Sequence, residues 1–415
     1  MLNKIFKLSQ NNTTPRTELL GGVTTFMTMA YILVVNPSIL SVTGMDSGAL
    51  FTATALSAAL ACVLMGVIAN LPVALAPGMG VNAFFAYAIV LQMGYTWEMA
   101  LAAVFIEGVI FILLSLFNIR EMIVRSIPPI LKTAIGIGIG LYLAVIGLVN
   151  AGVIIKGEPL MMMGNFTTPS VFLTLVAVII IGTMLIKKVP GALLIGMVVT
   201  TIIAIPLGVV TIPADFKFFS VPHSIEPLLF KMDFSQVWSF DMIIIIFTLI
   251  FSDLFDTAGT LIAVCGKSNL IDKNGEIKNV KRAFLSDAIA TTVGATMGAS
   301  TVTSYIESAT GVAAGGRTGL TSVVTGGMFL LALFFAPLFA IIPIAATSAA
   351  LIIVGLFMVS SLSNIDFEDY KTALPAFITI LFIPLSYNIA TGIIYGFLSY
   401  VIIHILSGKH KDVST

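Results

Sequence analysis

Asp253 and Asp256 are the residues whose type and spacing point most directly to chemistry. They stand three apart in IIIIFTLIFSDLFDTAGTLIAV, an otherwise apolar run with no basic residue inside it. On a helix this spacing puts both carboxylates on one face. A charged group at membrane depth costs about 2.5–3.5 kcal/mol on insertion scales, so that face is expected to point into a bundle interior and not toward lipid. Two close carboxylates without a cation repel unless a proton neutralises one of them. A site that takes up and releases a proton is what a proton-coupled carrier requires. The alternative is a structural pair, hydrogen-bonded to the neighbouring Ser252, Thr257 and Thr260.

A third acid, Glu307, lies in GASTVTSYIESATGVAAGG, and Asn82 lies in PVALAPGMGVNAFFAYAIV. Both segments read as a short strand-like piece that turns helical. Pro72, Pro77, Gly78 and Gly80 interrupt the first; Gly298, Ser300, Thr301 and Thr303 loosen the second. Backbone at membrane depth departs from the helix only where protein or a polar cavity supplies its hydrogen bonds, so two such breaks imply a cavity between them. The half-helices are expected to start near Asn82 and Ser304, offering unpaired N–H groups and positive dipole ends to a polar ligand. A packed Gly/Pro kink is the alternative. For Glu307 the alternative is more specific: Ser304-Tyr-Ile-Glu307 fits the S/T-x-x-E capping box, in which the carboxylate serves its own helix. Glu107, in ALAAVFIEGVIFILL, is a lesser candidate whose simplest role is a hydrogen bond to another helix. Arg317, Lys132, His223 and His404 fall at expected span ends or loops and read as interfacial.

The elements that must hold these groups follow from composition. Of 415 residues, 58% are hydrophobic and 10% charged, with a mean hydropathy of +1.09. A soluble domain carries about 25% charged residues, so this chain reads as an all-α polytopic membrane protein whose main partner is the lipid bilayer. One span takes about 20 apolar residues. Apolar stretches recur near 18–40, 48–70, 71–93, 97–117, 130–150, 169–186, 190–211, 238–265, 283–298, 299–314, 318–340, 342–362, 372–386 and 388–407. That is about fourteen spans, of which the third and tenth are the broken ones. The N-terminus has no continuous apolar h-region, so the first apolar run is read as a retained span.

Positive charge orients these spans, because Lys and Arg concentrate on cytoplasmic loops. With the N-terminus inside and fourteen crossings, seventeen basic residues fall on the cytoplasmic side, among them Lys4, Arg120, Arg125, Lys267, Lys273, Lys409 and Lys411. Only Lys156, Lys217 and Lys231 remain outside. Both termini are therefore expected in the cytoplasm. The longest hydrophilic breaks are at 212–237 and 266–282, and the first lies near the midpoint. Seven spans on each side give the halves opposite orientations, the arrangement of an inverted repeat. Interrupted segments at matching positions of two such halves point to a transporter's binding site.

Several other patterns carry less. Twenty Lys and Arg balance twenty Asp and Glu, which removes the case for a nucleic-acid binder driven by positive charge. Cys62 and Cys265 belong to no CxxC or Cys/His cluster, so neither a disulfide framework nor a metal site is expected. Gly78-Met-Gly80-Val-Asn-Ala83 matches a dinucleotide fingerprint, but no alternating strand and helix pattern surrounds it. Ile135-Gly136-Ile-Gly138-Ile-Gly140 reads as a close helix-packing face. Asp256-Thr-Ala-Gly lies within a helix and has no second copy, which argues against an aspartic protease. A membrane-embedded hydrolase with Asp253 and Asp256 as an acid/base pair is the alternative to transport from another class. No GxxxxGK[ST] is present for ATP-driven transport.

Taken together, PRTELLGGVTTFMTMAYILVVNP, APGMGVNAFFAY, FSDLFDTAGTL and GASTVTSYIESATGVAAGGRTGLTSV resemble a purine permease of the AzgA-like branch of the nucleobase:cation symporters. The resemblance covers nearly the whole chain. It implies a seven-plus-seven inverted repeat, with a core domain from residues 1–127 and 236–340 and a gate domain from residues 128–235 and 341–415. It implies a purine (guanine, hypoxanthine, or adenine) bound between them, imported across the plasma membrane by symport. No cofactor is implied; the driving force is the transmembrane proton gradient, with Na+ the alternative ion. By motif match, Gly80 and Asn82 correspond to the third-span site, Asp253 to the eighth-span acid and Glu307 to the tenth-span acid, with Asp256 one turn beyond Asp253. Thr303 and Ser304 adjoin the tenth-span acid. Phe84, Phe85 or Tyr305 is expected to stack on the base. The proton-coupling candidates are Asp253, Asp256 and Glu307. The resemblance also suggests a homodimer. A uracil/xanthine or anion carrier on the same fold is the alternative within transport.

Overall fold

The computed structural model describes residues 2–117, 128–157, 161–213, 216–266, 270 and 277–407. Arg120, Arg125, Lys267, Lys273, Lys409 and Lys411, used above to orient the chain, lie outside the described residues. Each of the fourteen apolar stretches contains a helix. Among the described residues, nine helices are long and apolar enough to cross a membrane, and Met79–Gln92, Ala192–Ala204 and Tyr370–Ser386 are shorter apolar helices. The chain is a multi-pass membrane protein.

The first half runs α1 (Pro15–Met29), α2 (Ile32–Leu40), α3 (Ser47–Leu64), β1 (Leu75–Pro77), α4 (Met79–Ala83), α5 (Trp97–Leu116), α6 (Pro129–Asn150), β2 (Ile154–Lys156), β3 (Met161–Met163), α7 (Pro169–Ile186) and α8 (Ala192–Ala204). The second half runs α9 (Phe240–Gly266), α10 (Val280–Thr296), β4 (Val302–Ser304), α11 (Ser308–Ala313), α12 (Gly319–Ala332), α13 (Ile344–Val359), α14 (Tyr370–Ser386) and α15 (Ile389–Leu406). Local sequence sets several starts. Thr14 accepts from the Thr17 N–H ahead of Pro15, Asp46 from the Ala49 N–H, Thr96 from the Met99 N–H and Thr318 from the Leu320 N–H. Each cap satisfies an N–H that the first turn leaves without a partner, and proline fits the first helical position because it has none to lose.

Two features were not expected. The first span breaks between α1 and α2, at Ala30 and Tyr31, and residues 154–163 form a hairpin in which β2 pairs with β3. The expected helix starts also move. Met79 opens α4, three residues before Asn82, because the Asn82 N–H already bonds to the Gly78 carbonyl at 2.8 Å. The backbone widens into a π-helix from Phe84 to Gln92 directly afterwards. In the second half α11 begins at Ser308, four residues after Ser304. Val302–Ser304 stays extended there because Thr303 lies opposite Ala76 of β1 while the Val302 and Ser304 N–H groups on the other edge donate to the Thr291 and Thr257 hydroxyls, so the backbone N–H groups are satisfied without a helix.

That pairing joins the two repeats. β1 and β4 run antiparallel, with Leu75 opposite Ser304, Ala76 opposite Thr303 and Pro77 opposite Val302. The Gly78 N–H bonds to Thr301 O at 2.9 Å and the Tyr305 N–H to Ala74 O at 3.0 Å, so the ladder closes at both ends. All six strand residues are buried. In a medium that supplies no hydrogen bonds, each broken span thus satisfies the other.

Around this ladder the helices form two packed groups. In one, α12 packs on α1 and α3, α10 on α5 and α3, and α9 on α5 and β4. In the other, α6 packs on α13 and α14, α14 on α15, and α7 on α8 and α13. The groups meet where α6 touches α4 and α9, α13 touches α2 and α15 touches α9.

Candidate functional site

A cavity of about 640 Å³ lies where the two groups meet. From the first group, Met79 and Gly80, Phe255, Asp256, Gly259 and Thr260, and Thr303, Ser304, Tyr305 and Glu307 line it. From the second, Ile135, Gly136 and Ile139 of α6 face Val354, Phe357 and Met358 of α13 and the turn after it. Lys132, Thr133, Ser361 and Asn364 line one end. Lys132 is thus a wall residue of the cavity, beyond its interfacial reading. Gly80 has a steric reason: a Cβ there would collide with the Ile139 side chain, so only glycine lets α4 approach α6 this closely.

Glu307 belongs to the turn ahead of α11 and faces the cavity with 9% exposure. It does not close a capping box on Ser304. Its Oε1 accepts instead from the Tyr31 hydroxyl at 2.7 Å, and the Ser304 N–H donates to Thr257 Oγ1 at 3.3 Å. The strand pairing has drawn Ser304 away from the helix that follows Glu307, and Glu307 makes no side-chain cap to that helix, so the two ends of the motif do not meet. The Ser304 hydroxyl is buried with no hydrogen-bond partner, and Ser304 lines the cavity. A buried donor of this kind costs free energy unless something pairs with it.

The two aspartates of α9 separate in place. Asp256 lines the cavity together with Thr303. Asp253 is fully buried and is not among the lining residues; Thr257 Oγ1 donates to its Oδ1 at 3.2 Å. Thr257 therefore links Asp253 to the backbone of Ser304. Asp253 sits behind the wall, one turn from the face that Asp256 presents.

Asn82 is likewise set back. Its Nδ2 donates to Asn36 Oδ1 at 2.5 Å, and its Oδ1 accepts from the Ser300 hydroxyl. Asn36 Nδ2 in turn donates to Thr54 Oγ1 at 2.6 Å. This relay ties the first, second and third spans to the loop before β4, with every member fully buried. Phe84 and Phe85 are also buried in the core and do not line the cavity. Of the expected aromatics only Tyr305 does, its hydroxyl donating to Pro77 O at 2.5 Å. Phe255 is a second aromatic at the wall. It stands beside Asp256 in the same motif, and adjacency to an inward-facing acid was the available signal.

Other polar groups explain themselves by packing. Thr301 Oγ1 donates to Glu107 Oε2 at 2.6 Å, which joins α5 to the approach to β4. Arg317 donates from Nη1 to the carbonyls of Val312 and Gly316 at 2.6 and 2.7 Å, capping the end of α11. His404 is buried and stacks on Tyr400 with ring centroids 3.9 Å apart. Glu18 escaped sequence reasoning altogether. It is fully buried, and its Oε1 accepts from Thr13 Oγ1 at 2.8 Å and from the Arg317 N–H at 2.9 Å. Its Oε2 accepts from the Thr318 N–H and hydroxyl at 3.1 and 2.8 Å and from the Thr321 N–H and hydroxyl at 3.2 and 2.6 Å. A carboxylate at the start of α12 is favoured by the N–H groups and dipole there.

Chemically, the cavity offers two acids, Asp256 and Glu307, a hydroxyl without a partner at Ser304, and three aromatic rings, Phe255, Tyr305 and Phe357, with Lys132, several hydroxyls and an amide along the rest of a mixed wall. Such a set accepts hydrogen bonds in the plane of a flat polar heterocycle and packs against its faces.

Comparison with known proteins agrees with the architecture. The Permease family model matches residues 16–395. The adenine permease AdeQ of Escherichia coli is 43% identical over 417 residues, covering 100% of this chain and 93% of its own. The guanine/hypoxanthine permease PbuG of Bacillus subtilis is 43% identical over 429 residues, covering 99% and 96%. A putative permease of Methanocaldococcus jannaschii is 46% identical over 413 residues, covering 99% and 94%. Among solved structures, the transmembrane domain of a cyanobacterial bicarbonate transporter, BicA, superposes with a TM-score of 0.68 at 19% identity, covering 92% of this chain and 97% of that one. The last likeness shows the inverted-repeat fold alone. These named relatives are permeases and not enzymes, and the chain belongs to the Permease family.

Proposed function

We propose that the protein is a secondary active transporter that imports purine nucleobases, guanine and hypoxanthine with adenine as a third substrate, by proton symport through alternating access. The observation that carries this reading is the cavity where Asp256, Glu307 and the unpartnered Ser304 hydroxyl meet Phe255 and Tyr305. A purine presents an N1–H beside a carbonyl, or an exocyclic amine beside a ring acceptor. Carboxylate acceptors and a hydroxyl therefore meet its edge while an aromatic ring covers its face. The names of AdeQ and PbuG support the same substrate class. Two acids, Asp256 and Glu307, against one lysine, Lys132, at the wall disfavour an anion.

The cavity lies between the two packed groups of helices, and this supports the division into a core domain (residues 1–127 and 236–340) and a gate domain (residues 128–235 and 341–415). In the proposed cycle the core moves against the gate, and a proton on Asp253, Asp256 or Glu307 is linked to purine occupancy. In this reading the protein resides in the plasma membrane with both termini cytoplasmic, which the distribution of basic residues supports, and it assembles as a homodimer. The proton arm is tested in proteoliposomes. Hypoxanthine is expected to accumulate unchanged when an inward proton gradient is imposed, and to cease accumulating when an uncoupler collapses it. Accumulation that ignores both pH gradient and uncoupler, and follows Na+ instead, contradicts proton symport.

A further inference from the structure

The glycine-rich face of α6 contains two kinds of glycine. A Cβ on Gly138 would stand 2.6 Å from Ile383 Cδ1, and one on Gly140 would stand 2.6 Å from Met358 Cβ and 2.8 Å from the Gly355 carbonyl. Close packing against α14 and α13 accounts for both. Gly136 differs. A Cβ there would meet nothing within 4 Å, its φ is not in the left-handed region, and it lines the cavity. Gly259, on the α9 wall three residues after Asp256, has the same properties.

Neither packing nor backbone conformation asks for glycine at these two positions, yet glycine in a helix interior is unfavourable relative to alanine. Open surroundings alone do not distinguish them, since Gly182 and Gly327 also have nothing within 4 Å and are not among the lining residues. What sets Gly136 and Gly259 apart is their place on the wall of a cavity with an independent sign of a ligand. That sign is the Ser304 hydroxyl, buried and without a partner on the same wall.

We infer that Gly136, together with Gly259, is a specificity-determining position that sets the breadth of the substrate slot. It leaves room for a two-ring base and decides how much bulk at the ring edge is admitted. This inference rests on the reading of the protein as a purine carrier. A Cβ at Gly136 meets nothing within 4 Å, so a small side chain there is expected to enter the space the base would use while the packing of α6 is retained. Its effect therefore depends on the size of the ligand, whereas a side chain at Gly138 disturbs the helix interface and acts on all ligands alike.

The test is competition against labelled hypoxanthine uptake by hypoxanthine itself and by purines carrying one methyl group at ring position 2, 6, 8 or 9. Wild type, Gly136→Val and Gly138→Val are compared, with membrane expression of each. In Gly136→Val at least one methylated purine is expected to weaken about tenfold more than hypoxanthine does, the range over which one methylene is discriminated in an apolar pocket. In Gly138→Val the ratios among ligands stay at the wild-type values while expression or total uptake falls. A second arm reads Gly136→Cys, which is expected to be modified by a membrane-impermeant thiol reagent, above the wild-type background of buried Cys62 and Cys265, and to be modified more slowly with hypoxanthine present. Equal weakening of every ligand in Gly136→Val, or thiol modification indifferent to hypoxanthine while wild type transports it, overturns the inference alone. Wild type that transports no purine overturns the carrier reading and this inference together.

Discussion

The Tyr31 hydroxyl donates to Glu307 Oε1 at 2.7 Å, although 276 positions separate the two residues. Tyr31 stands at the break between α1 and α2, Glu307 at the turn ahead of α11, and both are buried. The break in the first span thus brings a donor behind the cavity acid and fixes one of its oxygens, which in the proposed function leaves the other for the base. Removing that donor by Tyr31→Phe keeps the ring and its packing. Hydrogen bonds to charged groups contribute about 1.5–3 kcal/mol, so KM for hypoxanthine is expected to rise about tenfold or more while membrane expression is retained. Uptake kinetics with an expression control read this directly. A KM within about twofold of wild type contradicts a positioning role for Tyr31.

Glu18 makes a different kind of contact between the repeats. Its two oxygens collect backbone and hydroxyl donors from Thr13, Arg317, Thr318 and Thr321. Glu18→Ala leaves those donors buried and unpaired, which is expected to destabilise the protein by about 3 kcal/mol or more. Glu18→Gln, which keeps an acceptor, should fall between. Thermal unfolding in detergent measures both, and an unchanged melting temperature for Glu18→Ala contradicts the latch.

Asn36 and Asn82 belong to one buried relay, with Asn82 also accepting from Ser300. Loss of either amide breaks the same connection. Asn36→Ala and Asn82→Ala are therefore expected to lower uptake by similar factors, and the double variant to lose less than the sum, with a coupling of about 0.5–3 kcal/mol. Strict additivity in that cycle contradicts the relay and returns Asn82 to a direct substrate contact.

The aromatic residues separate by place. Phe255 is at the cavity wall and Phe84 is in the packed core. Stacking of a base on an aromatic ring is worth about 1–3 kcal/mol by alanine substitution, so Phe255→Ala should raise KM about tenfold in a protein that still reaches the membrane. Phe84→Ala should instead cost about 3–5 kcal/mol of stability. Comparing KM with the melting temperature for the pair distinguishes the two roles; a KM effect at Phe84 without loss of stability reverses the assignment.

Much of the architecture was legible because it is written in local signals. Pro72, Pro77 and Gly298 mark where two apolar stretches cannot remain helical, and acids inside apolar stretches, broken or continuous, must face inward, as Glu307 and Asp256 do. The parts that escaped depend on contacts between distant segments. The start of α11 moved to Ser308 because Ser304 pairs with Leu75 across the repeat, which no capping motif within four residues can reveal. Asn82 and Asp253 carry the right chemistry at the right depth, yet Asn36 and Thr257 turn them away from the cavity. Glu18 escaped because most of its donors, from Arg317, Thr318 and Thr321, lie about 300 positions away in the chain.

The most direct test of the purine site is labelled hypoxanthine uptake in cells lacking their own purine carriers, competed by adenine, guanine, xanthine and uracil, for wild type and Glu307→Gln. The account predicts saturable uptake that guanine blocks and uracil does not, and that is lost in a Glu307→Gln protein present in the membrane at wild-type level. Well-expressed wild type that takes up no purine, or a Glu307→Gln variant with wild-type KM and rate, would contradict it.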